Sequence, residues 1–287
     1  MTIAAGFVAR DGILLCADSQ YTAAEKTYRP KVFAENCGAF TIGFTFSGDE
    51  DYAKTAIFDS FDAVTRIPQG SPMLEARKAI RRVIKQVISD YNAAKLADPL
   101  QQPAFLVAIS SESEKALFSS RETAMPPVES YACLGTGSYL GQYIVPSQLP
   151  HPMTLSIRSL VPLSLHMIAA VKRHDAYCGG GANFVVIRGR ESRGFYFADP
   201  ARPDAGFVDY DRLSSQLLLS LGNPNDSDEE FQNKLAAFTK SITELRNSLL
   251  LNSDSAYGLL LATLCPSTSQ HRESTTGDLL HLPPSQE

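Results

Sequence analysis

Several residue types and sequence patterns are scarce or absent in this chain. It has no tryptophan, and its five histidines are scattered without the spacing of a zinc site. The cysteines are odd in number, follow no signal peptide and include no CxxC pair, which indicates reduced thiols in a cytoplasmic protein. We therefore expect no metal and no cofactor. The cysteines are Cys16, Cys37, Cys133, Cys178 and Cys265.

Long apolar runs and an excess of positive charge are absent too. No apolar run approaches the roughly 20 residues of a membrane span, and the net charge is −5. The densest basic group has the spacing of one solvated helix face; it comprises Arg77, Lys78, Arg81, Arg82 and Lys85. Neither a membrane nor a nucleic acid is therefore an expected partner. With 287 residues, 44% of them apolar, the chain can build one large domain or two ordinary ones.

The start of the chain predicts a hairpin that holds its own N-terminus beside a carboxylate. Two short apolar runs flank Asp11-Gly12, which is a strong hairpin signal. A turn there brings Asp18, at the end of the second strand, back to Thr2. A threonine hydroxyl is a weak nucleophile alone, but the α-amine of a terminal threonine can take its proton. This chemistry requires removal of Met1. The alternative interpretation, an ordinary chain start followed by an ordinary edge hairpin, stays open.

Apolar periodicity predicts helices and strands in separate blocks. The predicted helices run from Ser47, as the cap, to about Thr65; over Met73 to Ala97; over Thr154 to Arg173, started or kinked by Pro162; and from a Ser227/Glu230 capping box onward. The predicted strands are residues 3–9, 13–17, 39–46, 104–109, 115–120, 131–134, 183–187 and 194–198. Such blocks favour an α+β fold with two antiparallel sheets face to face and helices outside. Polar residues 20–29 are expected to be exposed.

The composition changes after about residue 200 and predicts three parts. Residues 1–200 form the main domain and residues 201–265 a partly helical C-terminal extension. Residues 199–226 are rich in Asp, Pro, Ser and Asn, so no helix is predicted before Ser227. Residues 266–287, rich in Ser, Thr, Gln and Pro, are expected to be disordered.

Several short motifs in fixed order resemble one family. They are Thr2, Gly12, Ala17-Asp18-Ser19, Lys31-Val32, Ser47-Gly48, Gly135-Thr136-Gly137-Ser138, Arg173 and His174-Asp175-Ala176-Tyr177-Cys178-Gly179-Gly180. Each motif is weak alone. In this order, over roughly residues 2–199, they resemble the β-type subunits of the proteasome and the bacterial ring protease HslV. These proteins belong to the N-terminal-nucleophile (Ntn) hydrolases.

The resemblance implies a role for each matching residue. Thr2 would be nucleophile and base, and Lys31 would lower the pKa of its amine by like-charge repulsion. Asp18 would hold Lys31 by a charge-assisted hydrogen bond, although a surface ion pair stays open for these two. The backbone N–H of Gly48 would receive the oxyanion. Around the amine the resemblance places Thr136, Asp175 and Cys178. Phe46 and Glu50 are candidate substrate-binding residues that the resemblance does not assign, and the sequence does not reveal the substrate preference.

Two residues depart from the family pattern. Thr136 replaces a serine but keeps the hydroxyl. Cys178 also replaces a serine, and a thiol is the weaker hydrogen-bonding group. Beside Lys31 that thiol is expected to be more acidic than usual; a merely buried small residue is the alternative for Cys178.

The resemblance implies a four-layer αββα sandwich and a threonine-type endopeptidase. Copies of the chain would close into a ring around a chamber, act on peptides or unfolded proteins, and work with an ATP-dependent unfoldase. Two alternatives stay open. One is an Ntn amidase acting on a small molecule, and the other is a non-catalytic structural subunit.

Overall fold

The structure is a computed structural model that describes residues 2–22, 26–94, 101–120, 124–148, 154–197, 201–223 and 226–250. The predicted disordered tail, residues 266–287, lies outside these ranges. The strands are β1 (Ala4–Ala9), β2 (Gly12–Asp18), β3 (Gln20–Thr22), β4 (Lys26–Tyr28), β5 (Val32–Cys37), β6 (Phe40–Ser47), β7 (Ala104–Ser110), β8 (Lys115–Ser120), β9 (Pro127–Val128), β10 (Tyr131–Leu134), β11 (Ala182–Arg188) and β12 (Glu191–Phe197). The helices are α1 (Glu50–Thr65), α2 (Met73–Ala93), α3 (Ser138–Gln148), α4 (Ile157–His174), α5 (Ala201–Ser220) and α6 (Asp228–Leu250).

Two antiparallel sheets form the centre of this α+β fold. One has the order β10-β1-β2-β11-β12 and the other the order β5-β6-β7-β8-β9, while β3 and β4 form a separate hairpin. The predicted hairpin at Asp11-Gly12 is confirmed, because Ala9 pairs with Gly12 and Ala4 with Ala17. This register brings the end of β2 beside the start of β1.

Alternation along the strands divides the buried side chains into separate clusters. On β1, Ala5 and Phe7 face a cluster shared with α3 and α4, whereas Ala4 and Val8 face the other sheet. The cluster between the sheets also takes side chains from β7 and β8. A third cluster joins the outer face of the second sheet to α1 and α2. Successive strand residues thus point to opposite faces, as a pleated strand requires.

Most predicted elements are present, with local corrections. Helix α1 is capped by Asp49 and not by Ser47, since the Asp49 carboxylate accepts from the backbone N–H groups of Asp51 and Tyr52 at 3.0 and 3.1 Å. Helix α4 starts at Ile157 and continues through Pro162. Among the residues that the structure describes, no helix combines the length and apolar character that a membrane crossing requires.

The extension contains one helix that the sequence did not predict. Helix α5 occupies a stretch whose polar, proline-containing composition is typical of a loop. Packing accounts for it: Phe207 and Leu213 are buried, and a Cβ on Gly206 would come within 2.7 Å of Leu245 on α6. The capping box of α6 is confirmed, as Ser227 and Glu230 exchange hydrogen bonds of 2.9 and 3.2 Å. Tertiary contacts with α6 thus override the local propensity of α5.

Candidate active site

The ends of three segments bring Thr2, Asp18 and Lys31 together. Thr2 precedes β1, Asp18 ends β2 and Lys31 directly precedes β5. The Thr2 hydroxyl donates to Oδ1 of Asp18 and accepts from the ammonium of Lys31. Lys31 Nζ also lies 2.9 Å from Oδ1 of Asp18. The hydroxyl therefore sits between a cation and an anion.

This cluster is buried. Thr2 is 1% exposed, Asp18 0% and Lys31 2%. The alternative of a surface ion pair is therefore wrong for Asp18 and Lys31. Burial lowers the pKa of Lys31, and the negative charge and hydrogen bond of Asp18 oppose that shift.

Asp18 also joins the two halves of the chain. Its Oδ1 accepts from the backbone N–H of Ile3 at 3.1 Å. Its Oδ2 accepts from the N–H groups of Gln20 and Gly179 at 3.3 and 2.9 Å. Hydrogen bonds to the charged form of a carboxylate stabilise that form and fix its orientation.

The glycine-rich bend after α4 can approach Asp18 only because it lacks side chains. A Cβ on Gly179 would collide with the side-chain oxygen of Gln20. Gly180 has φ +71 and would collide with the Ser19 hydroxyl. Backbone hydrogen bonds from Ser19 and Gln20 to the Gly179 carbonyl, at 3.2 and 3.1 Å, close the contact.

A turn between β10 and α3 packs directly on Thr2. The N–H of Gly137 donates to the Thr2 carbonyl at 3.2 Å. Gly135 has φ +87, and a Cβ there would overlap that same carbonyl oxygen. Between these glycines, the buried hydroxyl of Thr136 has no hydrogen-bond partner within the described residues. The turn that carries this unsatisfied hydroxyl therefore lies against Thr2.

Asp175 and Cys178 lie together on the other side of this turn. Asp175 accepts from the Tyr177 N–H at 2.9 Å and from the Cys178 thiol at 3.5 Å. A Cβ on Gly137 would lie 3.1 Å from the Cys178 sulfur. Burial, followed by the charges of Asp18 and Asp175, raises the pKa of Cys178. The expectation of an unusually acidic thiol is wrong, because desolvation and two carboxylates outweigh Lys31.

The remaining predicted residues lie where β6 meets α1. Gly48 has φ +99, and a Cβ would meet the Gln101 carbonyl oxygen at 2.7 Å. Phe46 is 1% exposed and belongs to the core under α1 and α2. Glu50 pairs with Arg29 at 3.3 Å and also with Lys54. These residues do not take part in the hydrogen bonds between Thr2, Asp18 and Lys31 described above.

Sequence reasoning missed Gln20 and Tyr21, which it placed in an exposed segment. Gln20 is 4% exposed, and its carbonyl accepts from the Lys31 ammonium. The ring of Tyr21 lies over Lys31 Nζ, 4.8 Å from the ring centroid. Their sequence positions directly after Asp18-Ser19 were the available signal. The polar residues around them instead indicated an exposed segment.

Solved structures with a similar fold are Anbu proteins. A mutant of Anbu from Hyphomicrobium sp. strain MC1 shares 13% sequence identity at a TM-score of 0.66 and matches 78% of this chain and 100% of its own. The Anbu complex from Pseudomonas aeruginosa, described as a helical assembly, shares 15% identity at 0.63, over 79% of this chain and 99% of its own. Anbu from Yersinia bercovieri, described as an ancestral beta-subunit, shares 11% identity at 0.63, over 78% and 99%. The chain has the Anbu fold.

This finding corrects the assignment made from the motifs. Placing the chain among proteasome β-type subunits or HslV is wrong, because these structural neighbours are Anbu proteins, a proteasome-like but distinct family. No protein-family model matches the sequence, and no curated protein does. At 11–15% identity the Anbu likeness concerns the fold, so activity has to be argued from the site.

Proposed function

We propose that this protein is a threonine-type Ntn hydrolase of the Anbu fold that cleaves peptide bonds with Thr2. The observation that carries the proposal is the buried Thr2 hydroxyl between Asp18 and Lys31. Once Thr2 is the first residue of the chain, its backbone nitrogen is an α-amine. Nucleophile and base then belong to one residue.

The reaction proceeds in two balanced steps. Thr2 Oγ1 attacks the carbonyl carbon of the substrate, and its proton passes to the α-amine. Collapse of the tetrahedral intermediate gives the proton to the leaving amine and forms an ester on Thr2. Water, activated by the same amine, then hydrolyses the ester and restores the hydroxyl.

The surrounding residues keep the amine neutral and oriented. The positive charge of Lys31 disfavours a second cation beside it and lowers the pKa of the amine from its usual 7.7–8.0 or so. Asp18 holds Lys31 in position. The unpartnered hydroxyl of Thr136 can bind the amine, and the Asp175–Cys178 pair supports the turn behind it.

The substrate side of the proposal rests on residues at the end of β6. The N–H of Gly48 receives the oxyanion, a donor typically worth about 2.7–4 kcal/mol. Phe46, which is buried in the core, is proposed to support this site from beneath without touching the substrate. Glu50, whose charge acts on both Lys31 and Tyr21, lies at its edge.

At the level of architecture, we extend the proposal to a four-layer αββα sandwich. Helices α1 and α2 cover one sheet, α3 and α4 the other, and the sheets share the cluster between them. Residues 1–200 are proposed as the catalytic domain and residues 201–265 as its extension. The packing of α5 against α6 and α4 supports an extension built onto the α4 side.

Copies of the chain are proposed to assemble with one another. The helical assembly described for Anbu of Pseudomonas aeruginosa supports self-association. Head-to-tail contacts close into a ring or continue into a helical array, depending on the rotation between subunits. Light scattering with electron microscopy distinguishes these outcomes, and a strict monomer at micromolar concentration contradicts both. An unfoldase requirement is tested by comparing short peptides with a folded substrate.

The decisive experiment combines intact mass with a threonine-directed covalent probe. The expected result is a chain without Met1 that gains one probe molecule on Thr2 and loses peptidase activity. The matched control is Thr2→Ala, which should fold and gain no probe. Turnover of small amides without peptides favours the amidase alternative. A retained Met1 in assembled protein favours the structural subunit.

A further inference from the structure

Tyr21 contacts Lys31 in two ways. Its ring centroid lies 4.8 Å from Lys31 Nζ, and its hydroxyl donates to the carbonyl of Pro30 at 3.3 Å. Pro30 directly precedes Lys31, so the same side chain contacts the ammonium and the adjacent backbone, and the ring contact carries the inference. We infer that Tyr21 is a positioning residue that keeps the Lys31 ammonium charged and shielded from water beside Thr2. This inference rests on the proposed function.

The Tyr21 ring acts on the Lys31 ammonium in a different way from its hydrogen-bond acceptors. An ammonium has three N–H donors, and Lys31 directs hydrogen bonds to Thr2 Oγ1, Asp18 Oδ1 and the Gln20 carbonyl. The ring adds no acceptor. Its negative π-face attracts the cation, and its bulk excludes water. Burial alone lowers the pKa of Lys31, so this attraction favours the charged form against desolvation.

Exclusion of water strengthens the effect of Lys31 on Thr2. The repulsion between two cations grows as the local dielectric falls, so a dry Lys31 lowers the pKa of the Thr2 amine more than a hydrated one. Without the ring, water screens Lys31 and the pKa of the amine rises towards its usual value. The amine then requires a higher pH to become neutral and act as base.

The charged and titratable groups around this pair come from several segments. Lys31 faces Asp18 on β2, Glu50 on α1 and Cys178 in the bend after α4, while Tyr21 faces Glu50, Asp18 and Arg29. Burial and the two carboxylates raise the pKa of Tyr21, so its ring stays a neutral phenol. Cys178 also stays protonated, since its pKa is raised. Tyr21 and Cys178 therefore add no negative charge that would change the repulsion between Lys31 and the Thr2 amine at neutral pH.

Two substitutions separate the ring from the hydroxyl. Tyr21→Leu removes the ring, and the acid limb of kcat/KM against pH is expected to move up by about 0.5–1 pH unit. Tyr21→Phe keeps the ring and loses the hydrogen bond to Pro30; its limb should stay within about 0.2 unit of wild type. Tyr21→Met is a second ring-free variant should Tyr21→Leu not fold. Thermal melting and size-exclusion chromatography establish that the variants compared are folded.

A measurement that does not depend on peptide cleavage distinguishes failure of the inference from failure of the proposed function. The pKa of the Thr2 amine is measured by NMR of protein labelled with 15N-threonine. If wild type cleaves no peptide but the amine pKa rises in the ring-free variant and not in Tyr21→Phe, the proposed function fails and the inference stands. If the ring-free variants and Tyr21→Phe titrate alike in both readouts, the inference is overturned, whether or not peptides are cleaved.

Discussion

Gly179 donates its backbone N–H to Oδ2 of Asp18 at 2.9 Å, although the two residues are 161 positions apart. This bond ties the end of the first hairpin to the bend that carries Asp175 and Cys178. The other oxygen of the same carboxylate holds Lys31 and Thr2. One carboxylate thus connects the proposed nucleophile, its cation and the supporting bend.

The contact of Gly135 with Thr2 predicts a severe local effect of one methyl group. Gly135→Ala places a Cβ onto the Thr2 carbonyl in a left-handed backbone conformation. We expect a loss of about 1–2 kcal/mol or more in the free energy of unfolding, together with loss of activity. The control is Gly222→Ala, where a Cβ meets nothing within 4 Å. Denaturant unfolding measures the stability of the two variants, and a peptide substrate measures their activity. Equal stability of Gly135→Ala and Gly222→Ala contradicts the close contact of Gly135 with the Thr2 carbonyl.

The position of the Thr2 hydroxyl predicts that peptide hydrolysis requires it. Thr2→Ala should lower kcat by at least about 1,000-fold while the chain still folds, because it removes only a hydroxyl and a methyl. Thr2→Ser keeps the hydroxyl and should retain activity. Steady-state kinetics on a fluorogenic peptide compares the three proteins. Residual turnover in Thr2→Ala close to wild type would falsify the role of Thr2.

The burial of Asp18 and Lys31 predicts that removing one partner costs more than removing both charges. Lys31→Met leaves a buried carboxylate without its cation and should lower the free energy of unfolding by about 3–5 kcal/mol. The double variant Asp18→Asn/Lys31→Met should recover part of that loss. Chemical denaturation measures both, and neither variant should hydrolyse peptides. A double variant less stable than the single one argues against the pairing.

The environment of Cys178 predicts a thiol that is less acidic than usual and that alkylating reagents modify slowly. Its raised pKa means that the thiolate fraction at pH 8 is below that of a free cysteine with a pKa of about 8.5. Iodoacetamide should therefore modify the folded protein at Cys178 far more slowly than the unfolded one, as peptide mass spectrometry can follow. Rapid modification of the folded chain contradicts this environment.

Replacing Cys178 tests its contact with Asp175. Cys178→Ser should maintain or raise turnover, because a hydroxyl is the stronger donor to that carboxylate. Any stability change should stay within about 1–2 kcal/mol. A folded but inactive serine variant shows that the thiol itself is needed.

Local sequence patterns were enough for the first hairpin and for the start of α6. Asp11-Gly12 between apolar runs determined the hairpin and its register, because turn chemistry and strand alternation act over a few residues. The same register makes the meeting of Thr2 and Asp18 predictable. The capping box of Ser227 and Glu230 likewise specified the start of α6.

Tertiary structure decided the properties that depend on residues distant in the chain: the helicity of α5, the acidity of Cys178 and the position of Tyr21. The sequence of α5 resembles a loop, and it is helical because Gly206 lets α6 approach and Phe207 becomes buried. The acidity of Cys178 could not be read from its neighbour Lys31, since desolvation and two carboxylates determine it. Tyr21 looked exposed until the fold placed Lys31 beneath its ring. Turns and caps are set by neighbours in the chain, whereas burial and electrostatics sum over all groups that folding brings near.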